Sequence, residues 1–232
     1  MNLKIVYENK NILAIEKPAG MVVFSEGNPN DPNSLMGCIL KTHPELEKIG
    51  SSLRYGMAQK LNKETSGILL IAKNKQSLDF LQKQFKERKV NKKYTGLVKG
   101  RLQKTKGEIK TLIGRSPKNR KKQKAYLLLE PGSEGKREAV TEYKVLQNFK
   151  EYTLIEARPL TGRKHQIRCH FAFLGHPIAG DKVYGFKNQD KLKLKRHFLH
   201  ASYLEIDTPE GGRKEFFSEL PEDLKEILNN LE

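Results

Sequence analysis

The sequence predicts an α+β fold, a largely antiparallel mixed sheet flanked by helices. Segments of apolar and β-branched residues recur between turn signals, their connections are mostly too short for helical crossovers, and helix-period stripes occur at only a few places. "NILAIEK" and "GMVVF" read as the opening strands, followed by "GILLIAK", "KYTGLVKG", "KAYLLLE", "AVTEYKVL", "YTLIEARPL" and "FLHASYLEI". A first helix is expected after "GILLIAK": Ser77 caps it, and Leu78, Leu81 and Phe85 share one face through about Lys86. Thr161 or Gly162 opens a second, with Ile167, Phe171 and Leu174 as its apolar stripe and Gly175 as its stop. A third closes the chain, with Pro221 near its first turn and Leu224, Ile227, Leu228 and Leu231 facing inward.

At 232 residues with 37% apolar and 8% aromatic content, the chain can bury a substantial core. One compact domain over residues 1–232 is the first expectation and two small lobes the second. Neither a run of about 18 apolar residues nor the apolar centre of a signal peptide is present, which predicts a cytoplasmic protein. Cys38 and Cys169 are too few and too far apart for a disulfide framework or a zinc site, and read as reduced thiols. His165 and His170, and His197 and His200, lack carboxylate or thiolate partners at ligand spacing, so no metal is expected. No GxxxxGK[ST] or GxGxxG loop is present, and "KPAG" is too short to cradle a nucleotide.

Charge points further. Forty-four Lys and Arg against 27 Asp and Glu give +17, beyond what solubility requires, and favour a polyanionic partner, nucleic acid first. The excess is concentrated in "GRSPKNRKKQK" (Gly114 to Lys124), which reads as an exposed loop or hairpin tip touching phosphate, and in "KNQDKLKLKRH" (Lys187 to His197). In "RPLTGRKHQIRCHFAFLGHPIAGDKVYG", Arg163, Lys164, His165, Gln166 and Arg168 crowd the opening of the second helix, where backbone amides already favour an anion. Arg168 falls beside the core-facing stripe, and a partly buried Arg needs an acidic or phosphate partner.

"GRKHQIRCHFAFLGHPIAGDKVYG" resembles the most characteristic motif of the RluA-type pseudouridine synthases. Other pieces follow in that family's order: "YENKNILAIEKPAGMVV" is similar to its opening strand pair, "KETSGILLIAKN" to its central motif, "KKYTGLVKG" to its Tyr-bearing strand, "GKREAVTEYKVL" to the strand after the basic hairpin, and "RHFLHASYLEI" to its closing strand. The resemblance spans about Ile5 to Leu231, so no N-terminal S4-type RNA-binding domain is expected ahead of it. It implies the pseudouridine synthase fold with an active-site cleft across the sheet, and a cofactor-free, metal-free isomerase acting on rRNA or tRNA, expected as a monomer. Such an enzyme extrudes a uridine from its stack, breaks the bond from N1 to C1′, turns the base and rejoins it through C5. Carried over by position, Tyr94 matches the active-site Tyr, Arg168 the Arg that pairs with the catalytic carboxylate, and Leu199 an apolar residue lining the uracil pocket. Gln59, Lys60, Arg163, His165 and Gln166 are candidates for RNA or pocket contacts.

The central motif departs from the family. Where relatives read His-Arg-Leu-Asp, this chain has Gln59, Lys60, Leu61 and Asn62. An amide at position 62 carries no charge and has negligible nucleophilicity toward a sugar carbon, so the catalytic position has lost its chemistry, and Arg168 is expected to lose its ion partner. Glu64 and Asp181 are the remaining carboxylates to consider; Glu64 reads as an ordinary companion in "KETSG" and Asp181 as a structural turn residue. Three readings stay open: an active pseudouridine synthase, a catalytically silent RNA-binding protein of the same fold, and a basic protein whose groove serves another polyanion or a ribosomal surface.

Overall fold

The computed structural model describes residues 3–25, 27–28, 30–51, 54–186 and 192–231. In chain order the elements are β1 (Lys4–Glu8), β2 (Ile12–Lys17), α1 (Leu35–Leu40), β3 (Ser66–Ala72), α2 (Lys75–Lys86), β4 (Asn91–Lys99), β5 (Lys106–Arg115), β6 (Gln123–Tyr126), β7 (Arg137–Asn148), β8 (Tyr152–Pro159), α3 (Gln166–Phe173), β9 (Leu199–Asp207), β10 (Arg213–Phe217) and α4 (Glu222–Asn229). The α+β class is borne out. Two compact units share the chain: Met1–Asn91 with Ala201–Glu219, and Lys92–His200 with Leu220–Glu232. No described helix is long and apolar enough to cross a membrane.

In the first unit β1 pairs antiparallel with β2 (Lys4↔Glu16), β2 with β3 (Ile12↔Ala72), and β10 with β9 (Arg213↔Asp207), while β9 lies beside β3. Every residue of β3 is buried, so "SGILLIA" reads as a continuous apolar run rather than an alternating one. Gly67 carries φ +116, and a Cβ there would collide with the Ala201 backbone, so only glycine lets these two strands approach. The cap of α2 is Asn74, not the expected Ser77: Asn74 Oδ1 accepts the Ser77 amide at 2.8 Å.

The second unit orders its strands β4-β8-β7-β5-β6, with antiparallel pairs Tyr94↔Ala157, Thr141↔Pro159, Glu108↔Glu142 and Gly114↔Lys124. Leu97, Ile155, Ile167, Phe171, Phe198, Leu199 and Leu224 form its core, with Ile227, Leu228 and Leu231 packed against it, as the closing stripe anticipated.

Several expected elements differ. "GMVVF" forms no strand, only an isolated bridge from Val22 to Ser34. "KAYLLLE" stops being strand at Tyr126, and its leucines enter a turn. The second helix starts at Gln166 rather than at Thr161 or Gly162, because the Gln166 side chain holds the preceding turn: Oε1 accepts from the Thr161 hydroxyl (2.7 Å) and the Arg163 amide (2.9 Å), and His165 sits at φ 56, outside the helical region. Leu174 falls past the helix end and is exposed, leaving Ile167 and Phe171 as the buried pair. The segment 114–124 does form a hairpin tip, joining β5 to β6 with the Ser116 amide bonded to the Lys122 carbonyl. Of the other basic stretch, positions 187–191 lie outside the described residues.

Candidate active site

In the first unit Gln59 to Asn62 lie in the irregular segment that precedes β3. Leu61 is buried, Lys60 is exposed with Nζ 4.1 Å from the centre of the Phe24 ring, and Gln59 and Asn62 are half-buried. Asn62 opens a tight turn, its carbonyl accepting the Thr65 amide at 3.1 Å, and Glu64 occupies that turn. The turn is fixed from below by "KPAG". Lys17 is 1% exposed, and its ammonium donates to the carbonyls of Pro18 (2.6 Å), Met21 (2.9 Å) and Lys63 (2.9 Å), while the Gly20 amide also donates to Lys63 (3.0 Å). The carbonyl next to Asn62 is thus held by a buried charge and an amide, which satisfies the lysine and pins the backbone of position 62.

In the second unit, helix α3 projects Arg168 inward, and the structure corrects the expectation that it lacks an ion partner. Arg168 Nε and Nη2 donate to the two Asp181 carboxylate oxygens at 2.6 and 2.8 Å, a bidentate pair with side chains 6% and 0% exposed. Asp181 Oδ1 also accepts the Val183 and Tyr184 amides at 2.9 and 3.0 Å, so it is a turn residue and a counter-ion at once. Burial works against the Asp181 carboxylate, but the Arg168 guanidinium and these amides override it and hold its pKa below the usual range.

The pair is enclosed by rings. Arg168 lies 5.2 Å from the centre of the Tyr184 ring, and the Tyr184 hydroxyl accepts the Gln123 amide (2.7 Å) and lies 3.1 Å from His165 Nδ1. Burial, and then the charges of Arg168 and Lys164, lower His165 to a pKa of about 4, so it is neutral at pH 7. Burial and Arg168 do the same to His197, at about 3.

Gln166 is buried with its amide fully engaged: besides the two bonds to Oε1, Nε2 donates to the Val140 carbonyl and the Thr141 hydroxyl, both at 2.9 Å. It is placed as a strut that closes the turn before α3. Arg163 is half-buried, its Nε donating to the Glu138 carbonyl at 2.8 Å. Tyr94 is half-buried on β4 and packs against the same core cluster as Leu199, which is 2% exposed; burial pushes the Tyr94 phenol up to about 12. One strand repeat away, burial lowers Lys92 to about 8. Tyr94 and Leu199 are thus brought to one cluster, and Arg168 and His165 to one buried polar knot.

Sequence reasoning missed Lys17, Tyr184 and the pairing role of Asp181. "GDKVYG" carried a signal for the last two, since an Asp two and three residues before the amides it accepts is the pattern of an Asx-type turn.

The excess of basic charge, the buried Arg168–Asp181 pair and Tyr94 packed on the same cluster as Leu199 fit a nucleic-acid-binding protein on an α+β scaffold. Residues 11–173 match the family model for RNA pseudouridylate synthase, and the chain belongs to that family, in its RluA type. It is 38% identical over 233 residues to ribosomal large subunit pseudouridine synthase D of Borreliella burgdorferi, covering 98% of this chain and 68% of that one. It is 42% identical to an uncharacterized RNA pseudouridine synthase of Chloroflexus aurantiacus, covering 93% of this chain and 65%, just under two thirds, of that one. Among solved structures, human RNA pseudouridylate synthase domain containing 1 superposes with a TM-score of 0.80 at 28% identity, covering 97% of this chain and 87% of that one.

Proposed function

We propose that this protein is an RNA-binding pseudouridine synthase of RluA type, directed at ribosomal or transfer RNA, in which Asn62 preserves recognition and suppresses isomerisation. The observation that carries this reading is the contrast between two positions. Arg168 keeps a complete buried ion pair through Asp181, and the Tyr94 and Leu199 cluster is packed, while position 62 holds an amide on a pinned backbone. In the proposed roles, Tyr94 packs against the extruded base, Leu199 lines the uracil pocket, and the Lys and Arg excess follows the phosphates. Asp181 does not replace the missing carboxylate, because both its oxygens are committed to Arg168. The protein acts as a cytoplasmic monomer and needs neither metal nor cofactor in this reading.

The test is to incubate the protein, beside an Asn62→Asp variant, with total RNA labelled at uridine C5, and to follow label release together with pseudouridine formation. Release by the Asn62→Asp variant alone is expected. Release by the unmodified protein would overturn the suppression and make Glu64→Gln the next variant. Silence from both, with no salt-dependent RNA binding, would overturn the reading as a whole.

A further inference from the structure

Three consecutive leucines stand in solvent where β6 ends. Leu127, Leu128 and Leu129 are 55%, 77% and 89% exposed, although the same chain buries Leu97, Leu69 and Leu70 completely. Leu129 lies at φ 67, a backbone conformation in which a bulky L residue is a true outlier and glycine or asparagine is ordinary. The turn is nevertheless held firmly: the Glu130 amide donates to the Leu127 carbonyl (3.1 Å), the Leu127 amide donates to Glu130 Oε2 (2.9 Å), and Lys124 donates to Glu130 Oε1 (2.6 Å). An apolar apex that is strained, held by hydrogen bonds and largely exposed gains nothing for the fold, and backbone strain kept at such a site points to function.

Its surroundings indicate the occupant. Lys124 and Lys136 bracket the turn, with their ammonium groups 4.2 and 5.8 Å from the centre of the Tyr126 ring. Strand β6 is only four residues long, about 13 Å, and its other end leads into the basic hairpin tip with Lys118, Arg120 and Lys121. A leucine apex between clusters of cations suits a polyanion with apolar faces inside it, which describes the stacked bases of RNA better than a protein surface.

We propose that Leu128 and Leu129 form a wedge that enters a base step of the bound RNA, while Lys136 and the cations of the hairpin tip hold its phosphates. This rests on the RNA-binding reading above and adds to it a contact site with a defined chemistry. Rigidity favours the role, because a preorganised apex loses little freedom on insertion.

The experiment compares the full chain with a Leu128→Ser/Leu129→Gly variant. The probe is an RNA hairpin with a uridine-rich loop carrying 2-aminopurine beside the loop. The variant is expected to be at least as heat-stable, since glycine relieves the φ strain, yet to bind about tenfold more weakly, the equivalent of one leucine side chain leaving an apolar site. The salt slope of binding is expected to stay the same, because no phosphate contact is removed, and the fluorescence rise from unstacking is expected to disappear. Unchanged affinity and unchanged fluorescence would overturn the wedge alone. Concentration-dependent self-association lost in the variant, with RNA binding intact, would overturn it in favour of a second copy of the chain. Absence of RNA binding by the unmodified protein would overturn the RNA reading and the wedge together.

Discussion

Replacing Asp181 by asparagine tests whether Arg168 is settled within its own unit. Shape is kept, so no cavity is created; what changes is that a guanidinium 6% exposed loses the charge opposite it. Breaking a buried pair from one side costs about 3–5 kcal/mol. For a chain of this size that is a fall of about 6 to 20 °C in melting temperature. Because the chain has no Trp, the transition is best followed by far-ultraviolet circular dichroism in urea. The pH dependence carries a sign. Asp181 has a folded pKa below its unfolded value, so its contribution is complete above about pH 4 and disappears as pH falls through the folded pKa. The gap between wild type and variant should therefore be full at pH 7 and close in acid. Removing both charges, Arg168→Met with Asp181→Asn, should lie nearer wild type than Asp181→Asn alone, since no unpaired ion remains and the asparagine oxygen still accepts the Val183 and Tyr184 amides. A loss below about 1 kcal/mol for Asp181→Asn at pH 7, the range of an exposed pair, would refute the assignment.

Two further outcomes follow from the same physics. His170 is fully buried between the Thr111 and Thr141 hydroxyls at 3.0 and 2.8 Å, and burial lowers it to about 4. Its neutral form therefore contributes roughly 3 kcal/mol above pH 6.5 that is lost as pH falls toward 4; urea midpoints unchanged between pH 7 and 4.5 would contradict this. In the hairpin tip, Lys118→Ala/Arg120→Ala/Lys121→Ala should weaken RNA binding at low salt and reduce the slope of log affinity against log salt by about 2, with little change in stability; an unchanged slope would remove the tip from the RNA footprint.

β3, buried at every residue, was legible because "GILLIAK" is a continuous apolar run that few other structures accommodate. β5 was not: its burial alternates through Ile109, Thr111 and Ile113 between charged neighbours, and that weak signal sits beside a basic hairpin that reads as loop. β10 carries "RKEFF", whose polar half hides an edge strand, and six-residue α1 is too short to show a period. Around the candidate site, the need of Arg168 for an acidic partner was readable from its place beside the apolar stripe of α3, whereas Gln166 read as a candidate RNA or pocket contact and its amide is engaged within the fold. A side chain's type was visible in the sequence; whether its hydrogen bonds close inward depends on which strand returns beside it, and Val140 and Thr141 are more than twenty residues away.

The same distinction explains how position 62 can carry an amide without disturbing the fold. The turn there is held through backbone atoms: the Asn62 carbonyl receives Thr65, and the Lys63 carbonyl receives Lys17 and Gly20. None of these bonds uses the side chain of residue 62. Arg168 is balanced within its own unit by Asp181, and the geometry is bidentate, which leaves it little need of a further anion. An isosteric change between carboxylate and amide at position 62 therefore leaves the framework that presents it standing, and on the proposed function it changes only what that side chain does chemically. That separation is why one substitution, Asn62→Asp, is the economical probe of function: it asks for chemistry from a backbone that needs no rebuilding.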